Sequence, residues 1–318
     1  MIAVFAPGQG SQSPGMLAPW LELPGVEGRI AAFSEVTGLD LLRLGTTAGA
    51  EEIKDTAVTQ PLLVTLGIIA AEQLDLQPAE HHVVAGHSVG ELTAAAVAGA
   101  LPAEDAVALA ARRGAEMAAA CALTPTGMAA VLGGDPDVVV AGIEAAGLVP
   151  ANRNGAGQIV AAGALDALEK LASEPPAGAR VRPLAVAGAF HTHFMAPAED
   201  ALGSFAGQLP VRDPQAVLLS NADGTAVRSG TELITRLVRQ VTQPVRWDLC
   251  LAACRDAGVQ AAVELAPGGT LAGIAKRELP GVALVAIKGP DDLAAARALL
   301  AGATEPTDST AGASSAVE

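Results

Sequence analysis

The chain has no tyrosine at all, and phenylalanine and tryptophan together make up 2% of its 318 residues. That excludes an aromatic-rich core; the apolar half of the composition is mostly Ala, Val and Leu. Basic residues are also scarce, 19 Lys and Arg against 34 Asp and Glu, for a net charge of −15. Such a balance argues against nucleic acid and anionic membrane as partners, and an acidic partner would need a local basic patch. Cysteine is limited to Cys121, Cys250 and Cys254. Apart from one Cys-X3-Cys on a helical stretch they show no metal-ligand spacing; that pair reads as two small core or surface residues on one helix face, and a reducing cytoplasm is the natural compartment. No uninterrupted apolar run approaches the roughly 18 residues a membrane span needs. The opening "MIAVFAPGQG" has no basic n-region and leads straight into a strand, so no signal peptide is expected.

What is present describes a globular protein, with 51% hydrophobic and 17% charged residues. The length suits one large domain carrying an insertion. "IAVFAP" reads as a strand running into a Gly-rich turn, and residues 58–74 as a buried helix entered at Pro61. A strand precedes Ser88, a helix follows to about Ala98, and another spans roughly Ala103 to Ala120. This alternation predicts a mostly parallel sheet covered by helices, an α/β class. From 124 to 186 the order becomes β-α-β-β-α-β, closing with a strand through "VRPLAVAGAF", and fits a small inserted ferredoxin-like unit. The larger domain is then 1–123 with 187–302. It resumes with strand "AVLLSN", helices "GTELITRLVRQV" and "RWDLCLAACRDAG", and strands "AAVELAP" and "ALVAIK". Residues 303–318 are polar, small and acidic, and read as a disordered tail.

The stretch "VVAGHSVGEL" carries the first chemical signal. Ser88 sits between Gly86 and Gly90, where an apolar strand must turn into a helix within about two residues. Such a turn needs small flanking residues and exposes the hydroxyl beside the positive end of the helix, as a serine nucleophile requires. The same five residues also suit an ordinary βα turn. A serine nucleophile needs a base, and there are five histidines. His81 and His82 precede the strand and read as solvent-facing, while His87 reads as packing on the far side of the turn. His191 and His193 in "GAFHTHFM" remain, with no acid nearby before Glu199 and Asp200. In "ALAARRGAEM", Arg112 reads as exposed. Arg113 falls on the inward face with Leu109, Ala110 and Met117, where a guanidinium needs an anion and a substrate carboxylate would serve.

Six segments in order, "APGQGSQ", "GHSVGE", "ARRGAEM", "NGAGQIVAAG", "GAFHTHFM" and "LVRQVTQPVRW", resemble the malonyl-CoA:acyl-carrier-protein transacylase family over roughly residues 2–290. The likeness is strongest to the stand-alone fatty-acid-synthesis type of high-GC actinobacteria, and polyketide synthase acyltransferase domains share the pattern. The resemblance implies an α/β-hydrolase-like core with a ferredoxin-like subdomain. It also implies Ser88 as nucleophile, His191 as base, Gln240 as the residue whose carbonyl orients that histidine, and Arg113 as binder of the malonyl carboxylate. Backbone N–H groups of Gln9 and Val89 would form the oxyanion hole, and Phe190 would restrict the acyl pocket to malonyl over methylmalonyl.

The implied reaction is ping-pong transfer from malonyl-CoA through a malonyl-serine ester to the phosphopantetheine thiol of acyl carrier protein, with no metal or redox cofactor. A monomer is expected. Exposed basic residues on two lips, Arg180 with Arg182 and Lys276 with Arg277, are the candidates to grip an acidic carrier. Two rival readings use the same residues differently. A serine esterase or thioesterase would take water as acceptor and have no use for Arg113, and a non-catalytic carrier-docking protein would have no use for Ser88.

Overall fold

The structure, a computed structural model, describes residues 1–79 and 82–302. Strand β1 (Ile2–Ala6) is followed by helices α1 (Val26–Thr37), α2 (Leu41–Thr46), α3 (Ala50–Ile53) and α4 (Thr56–Gln73). Next come β2 (His82–Gly86), α5 (Gly90–Val97) and α6 (Ala103–Leu123). The middle of the chain forms β3 (Thr126–Gly133), α7 (Pro136–Ala145), β4 (Val149–Gly155), β5 (Gln158–Ala164), α8 (Leu165–Ser173) and β6 (Ala179–Pro183). Then follow α9 (Ala196–Ala206), β7 (Val217–Leu218), α10 (Gly230–Arg239), β8 (Val245–Arg246) and α11 (Trp247–Asp256). The described chain ends with β9 (Ala261–Glu264), α12 (Thr270–Glu278), β10 (Ala283–Ala286) and α13 (Leu293–Gly302).

Five strands form an all-parallel sheet in the order β10-β9-β1-β2-β7. Its central strand β1 is buried throughout because helices cover both faces, so the period of two divides one apolar run between two cores. Val4 and Ala6 face the main core with Leu62, Leu66 and Leu92. Ala3 and Phe5 face the other side with Trp247, Cys250, Cys254 and Ile274. Cys250 and Cys254 are thus core residues of α11, a choice between core and surface that their spacing left open.

The second sheet has the order β6-β3-β5-β4, antiparallel, with β8 added in parallel on β4. Its strands also split by parity. Ala129, Val131, Ile159 and Ala161 pack with Val139, Ile143, Leu168 and Leu171 under α7 and α8. Met128, Val160 and Ala162 belong to the main core, so this sheet leans on the large layer with its other face.

Several sequence expectations are corrected here. The buried helix begins at Thr56 rather than at Pro61, because Asp55 caps it by accepting from the Ala57 N–H at 2.9 Å. Pro61 lies inside the helix. The strand expected through "VRPLAVAGAF" stops at Pro183, which has no N–H to continue the ladder. Residues 184–190 run on as irregular chain tied to β3 through Leu184 N–H to Met128 O at 2.9 Å, and near it through Ala189 N–H to Thr126 Oγ1 at 3.0 Å. "AVLLSN" keeps only two strand residues. The structure adds helices α1 to α3, α12 and α13. His81 and the tail at 303–318 lie outside the described residues. Among the described residues no helix is long and apolar enough to cross a membrane.

Candidate active site

Strand β2 delivers Ser88 to the carboxyl end of the parallel sheet, and the turn is as tight as the sequence demands. A Cβ on Gly86 would overlap the Gly90 carbonyl, and one on Gly90 would overlap the Ala6 carbonyl. Ser88 itself takes a left-handed φ of 53°, a conformation that costs a non-glycine residue about 1–3 kcal/mol and persists only where neighbours enforce it. Asn221 is one such neighbour. Its Oδ1 accepts the Ser88 N–H at 2.8 Å and its Nδ2 donates to Gly86 O at 2.8 Å, clamping the turn from below.

The half-buried Ser88 hydroxyl lies 2.7 Å from Nε2 of His191. His191 Nδ1 is 2.8 Å from the backbone oxygen of Gln240, just past the end of α10, where carbonyls are left over from the helix ladder. A carbonyl only accepts, so Nδ1 carries the proton and Nε2 is bare towards Ser88. His191 is 3% exposed, and burial, with the positive charge of Arg113 adding to it, lowers its pKa to about 3. The imidazole is therefore neutral near pH 7 and can draw a proton from the Ser88 hydroxyl. His191 also has a left-handed φ, 61°. His193, the other candidate, is exposed and stacks on Phe194 at 4.2 Å between ring centroids.

Arg113 enters from α6, which Gly114 lets approach α4: a Cβ there would lie 2.6 Å from Thr56 O. The guanidinium is 2% exposed. Its Nη1 donates to Gln60 Oε1 at 2.8 Å, and its Nη2 to Gln240 Oε1 at 2.9 Å and Ser88 Oγ at 3.3 Å. Burial lowers its pKa to about 10, which leaves it charged at neutral pH. Among the described residues it has no direct carboxylate partner. Arg112, one residue earlier, points outward and pairs with Glu116 at 2.9 Å.

Gln9 follows β1 and Val89 follows Ser88, and the two turns are joined by His87 N–H to Ala6 O at 2.9 Å. The Gln9 side chain anchors its turn by donating from Nε2 to Thr56 Oγ1 at 3.3 Å. Neither the Gln9 nor the Val89 backbone N–H has a protein acceptor among the described residues. Phe190 is 6% exposed and belongs to the main core beside the His191 turn. His87 joins the two sheets, its Nε2 2.8 Å from Asn154 Oδ1 on β4 and its ring edge-on to Trp247.

The structure adds four residues to this cluster. Gln60 holds Arg113, Asn221 holds the serine turn, Asn154 holds His87, and Glu91 is buried directly under Gln240. Glu91 stands in the quoted "GHSVGE". A Glu as the lone charged residue of an otherwise largely apolar helix, Gly90–Val97, is the available signal. A neutral amide such as Gln60 or Asn221 gives none until its partner is known.

A family model described as an acyl transferase domain matches residues 4–299. The malonyl CoA-acyl carrier protein transacylase of Mycobacterium bovis is 60% identical over 296 residues, 92% of this chain and 98% of the relative. The crystal structure of MCAT from Mycobacterium tuberculosis superposes with a TM-score of 0.89 at 60% identity, covering 92% of this chain and 98% of that one. A malonyl-transacylase solved in complex with a holo type II PKS acyl-carrier protein gives a TM-score of 0.86 at 30% identity, covering 93% of this chain and 99% of that one. The chain belongs to the acyl transferase family, among the malonyl CoA-acyl carrier protein transacylases.

Proposed function

We propose that this chain moves malonyl from malonyl-CoA to the phosphopantetheine thiol of acyl carrier protein through an ester on Ser88. The observation that carries the reading is Arg113: a buried, charged guanidinium held by two neutral amides, with Nη2 3.3 Å from the Ser88 hydroxyl. Burying such a charge is costly unless an anion meets it. The malonyl carboxylate is that anion, and its distal position on a three-carbon acyl group sets the thioester carbonyl over Ser88.

His191 takes the Ser88 proton at Nε2 as Oγ bonds to the thioester carbon. The oxyanion that forms accepts from the Gln9 and Val89 N–H groups, and losing one such donor costs about 10²–10³ in rate. Collapse breaks the carbon–sulfur bond, and His191 returns the proton to the leaving thiolate of coenzyme A. The pantetheine thiol then enters and gives its proton to His191. Its sulfur attacks the ester, and Ser88 leaves with the proton restored. Gln240 O holds the Nδ1–H through both halves. Each step is nucleophilic and acid–base chemistry, so the scheme draws on no metal or redox group.

The element order and strand order of 124–186 support a ferredoxin-like subdomain, and the parallel sheet with its serine turn supports an α/β-hydrolase-like core formed by 1–123 and 187–302. Phe190, immediately before the base, is suited to limit the acyl pocket to malonyl. Arg180 and Arg182 are exposed on edge strand β6, and Lys276 and Arg277 are exposed on α12. We assign these basic pairs to carrier docking. We infer fatty-acid synthesis as the setting, with a polyketide carrier as a second acceptor.

Substitution Arg113→Ala tests the reading. Loss of a charge-assisted pair of about 1.5–3 kcal/mol should lower malonyl transfer by roughly 10- to 100-fold. Acetyl transfer, which no longer meets an unpaired cation, should hold or rise. An equal fall for both acyl groups would make Arg113 structural.

A further inference from the structure

Beneath the serine turn, Glu91 occupies the first turn of α5 and is 4% exposed. Both of its oxygens face donors: Oε1 accepts the Asn221 N–H and Oε2 the Gln240 Nε2, each at 2.5 Å. The Gln240 amide is thereby polarised along one line. Its NH₂ faces three acceptors, Glu91 Oε2, Asn221 Oδ1 at 3.2 Å and Ser88 O at 3.2 Å, while its oxygen faces Arg113 at 2.9 Å. Flipping the amide would set its oxygen against three acceptors and its NH₂ against a guanidinium. Arg113 and Glu91 thus form an ion pair relayed through a neutral amide.

We propose that Glu91 is a positioning residue for malonyl selection: its carboxylate locks the Gln240 amide so that the oxygen holds Arg113 aimed at Ser88 before substrate arrives. This rests on the transacylase reading. The groups facing Glu91 are Arg113 from α6, Arg236 from α10, the Ser220 hydroxyl, the Asn221 N–H and the Cys250 thiol of α11. Arg236 is itself paired with Asp223 at 2.7 Å and Glu232 at 2.9 Å, so Arg113 is the cation left to be balanced. Protonating either Glu91 oxygen places an O–H donor against a donor, so the locked arrangement belongs to the carboxylate. Burial raises the Glu91 pKa to about 7, which sets the pH at which the lock forms.

The experiment is single-turnover acylation of Ser88 by malonyl-CoA and by acetyl-CoA between pH 5.5 and 8.5, in the unsubstituted protein and in Glu91→Gln. In the unsubstituted protein malonylation should rise through about pH 7 while acetylation stays flat. Glu91→Gln removes the negative charge and sets an NH₂ against one of the two donors, the Gln240 NH₂ or the Asn221 N–H. With the anion gone and only one amide oxygen for two donors, the variant should lose the step and lower malonylation by about 10- to 100-fold at pH 8, with acetylation changed far less. Equal falls for both acyl groups, or no fall in the variant, would overturn the positioning role. Should the variant not fold, a malonylation profile without a step near pH 7 in the unsubstituted protein overturns it alone. Absence of any malonyl adduct on the unsubstituted protein would refute the transacylase reading and the inference together, whereas a normal adduct with an unaffected variant overturns only the role of Glu91.

Discussion

The two sheets use their residues differently, and the difference explains where chemistry sits. The parallel sheet buries both faces of β1 and frees only its carboxyl end, where β1 and β2 run into the Gln9 and Ser88 turns. The antiparallel sheet builds a small core of its own under α7 and α8 and gives its other face to the main core. Backbone strain is not confined to the parallel layer, since Ala156 between β4 and β5 is also left-handed. The non-glycine residues with left-handed φ include Ser88 and His191, which meet at the end of the parallel layer. The second sheet is a wall, coupled to the site by polar links that include His87 to Asn154, Ala189 N–H to Thr126 and Arg246 N–H to Asn221 O. Chemistry and support should therefore be separable by mutation.

The sharpest separation is expected at His191. His191→Ala removes the proton acceptor and should lower the acylation rate of Ser88 by about 10²–10⁴-fold, read by rapid quench, without loss of fold by circular dichroism. A rate within a few-fold of normal would move the base elsewhere.

Acid stability sharpens the same contrast. The folded pKa of His191, about 3, lies below the ordinary 6.5 of the free side chain, so the unfolded chain binds the proton first as pH falls. The stability tied to neutral His191 is complete above about pH 6.5 and is lost as pH drops towards 3. Glu91 acts in the opposite sense. Its raised pKa of about 7 makes its share present below about 4.5 and lost as pH rises through 7. Unfolding midpoints between pH 3 and 8 should show a shallower acid limb in His191→Ala than in the unsubstituted protein. Superimposable limbs would mean that His191 is not held neutral by burial.

At the wall the effect should reverse. Asn154→Ala leaves the His87 ring nitrogen without its partner and should cost about 1–3 kcal/mol of stability, measured by denaturant unfolding. Acylation of the folded fraction should stay within a few-fold of normal. A large loss of acylation with unchanged stability would make the second sheet part of the chemistry.

Much of this was legible in the sequence because it depends on local constraint. Two glycines around Ser88 announce a turn that nothing larger can make, and Arg113 betrays its inward position by lying on the face of Leu109, Ala110 and Met117. The β-α-β-β-α-β order that begins at β3 shows as a change in element order. Other features depend on partners distant in sequence. Nothing around Asn221 or Gln60 shows that each closes a contact across the chain, with Gly86 and with Arg113. The choice between His191 and His193 is made by α10, whose end supplies the carbonyl for Nδ1. The two-residue strands β7 and β8 carry no periodicity of their own and exist because β2 and β4 pair with them. Pro61 misled because proline is read as a helix start, while the cap at Asp55 lay six residues earlier.

The central claim is a malonyl ester on Ser88 that waits for a thiol. Incubating the protein with malonyl-CoA, quenching in acid and mapping the adduct by mass spectrometry tests it directly. A malonyl group on the Ser88 peptide is expected, stable in buffer and discharged when holo acyl carrier protein is added. An adduct elsewhere, no adduct, or discharge to water as fast as to the carrier would contradict it.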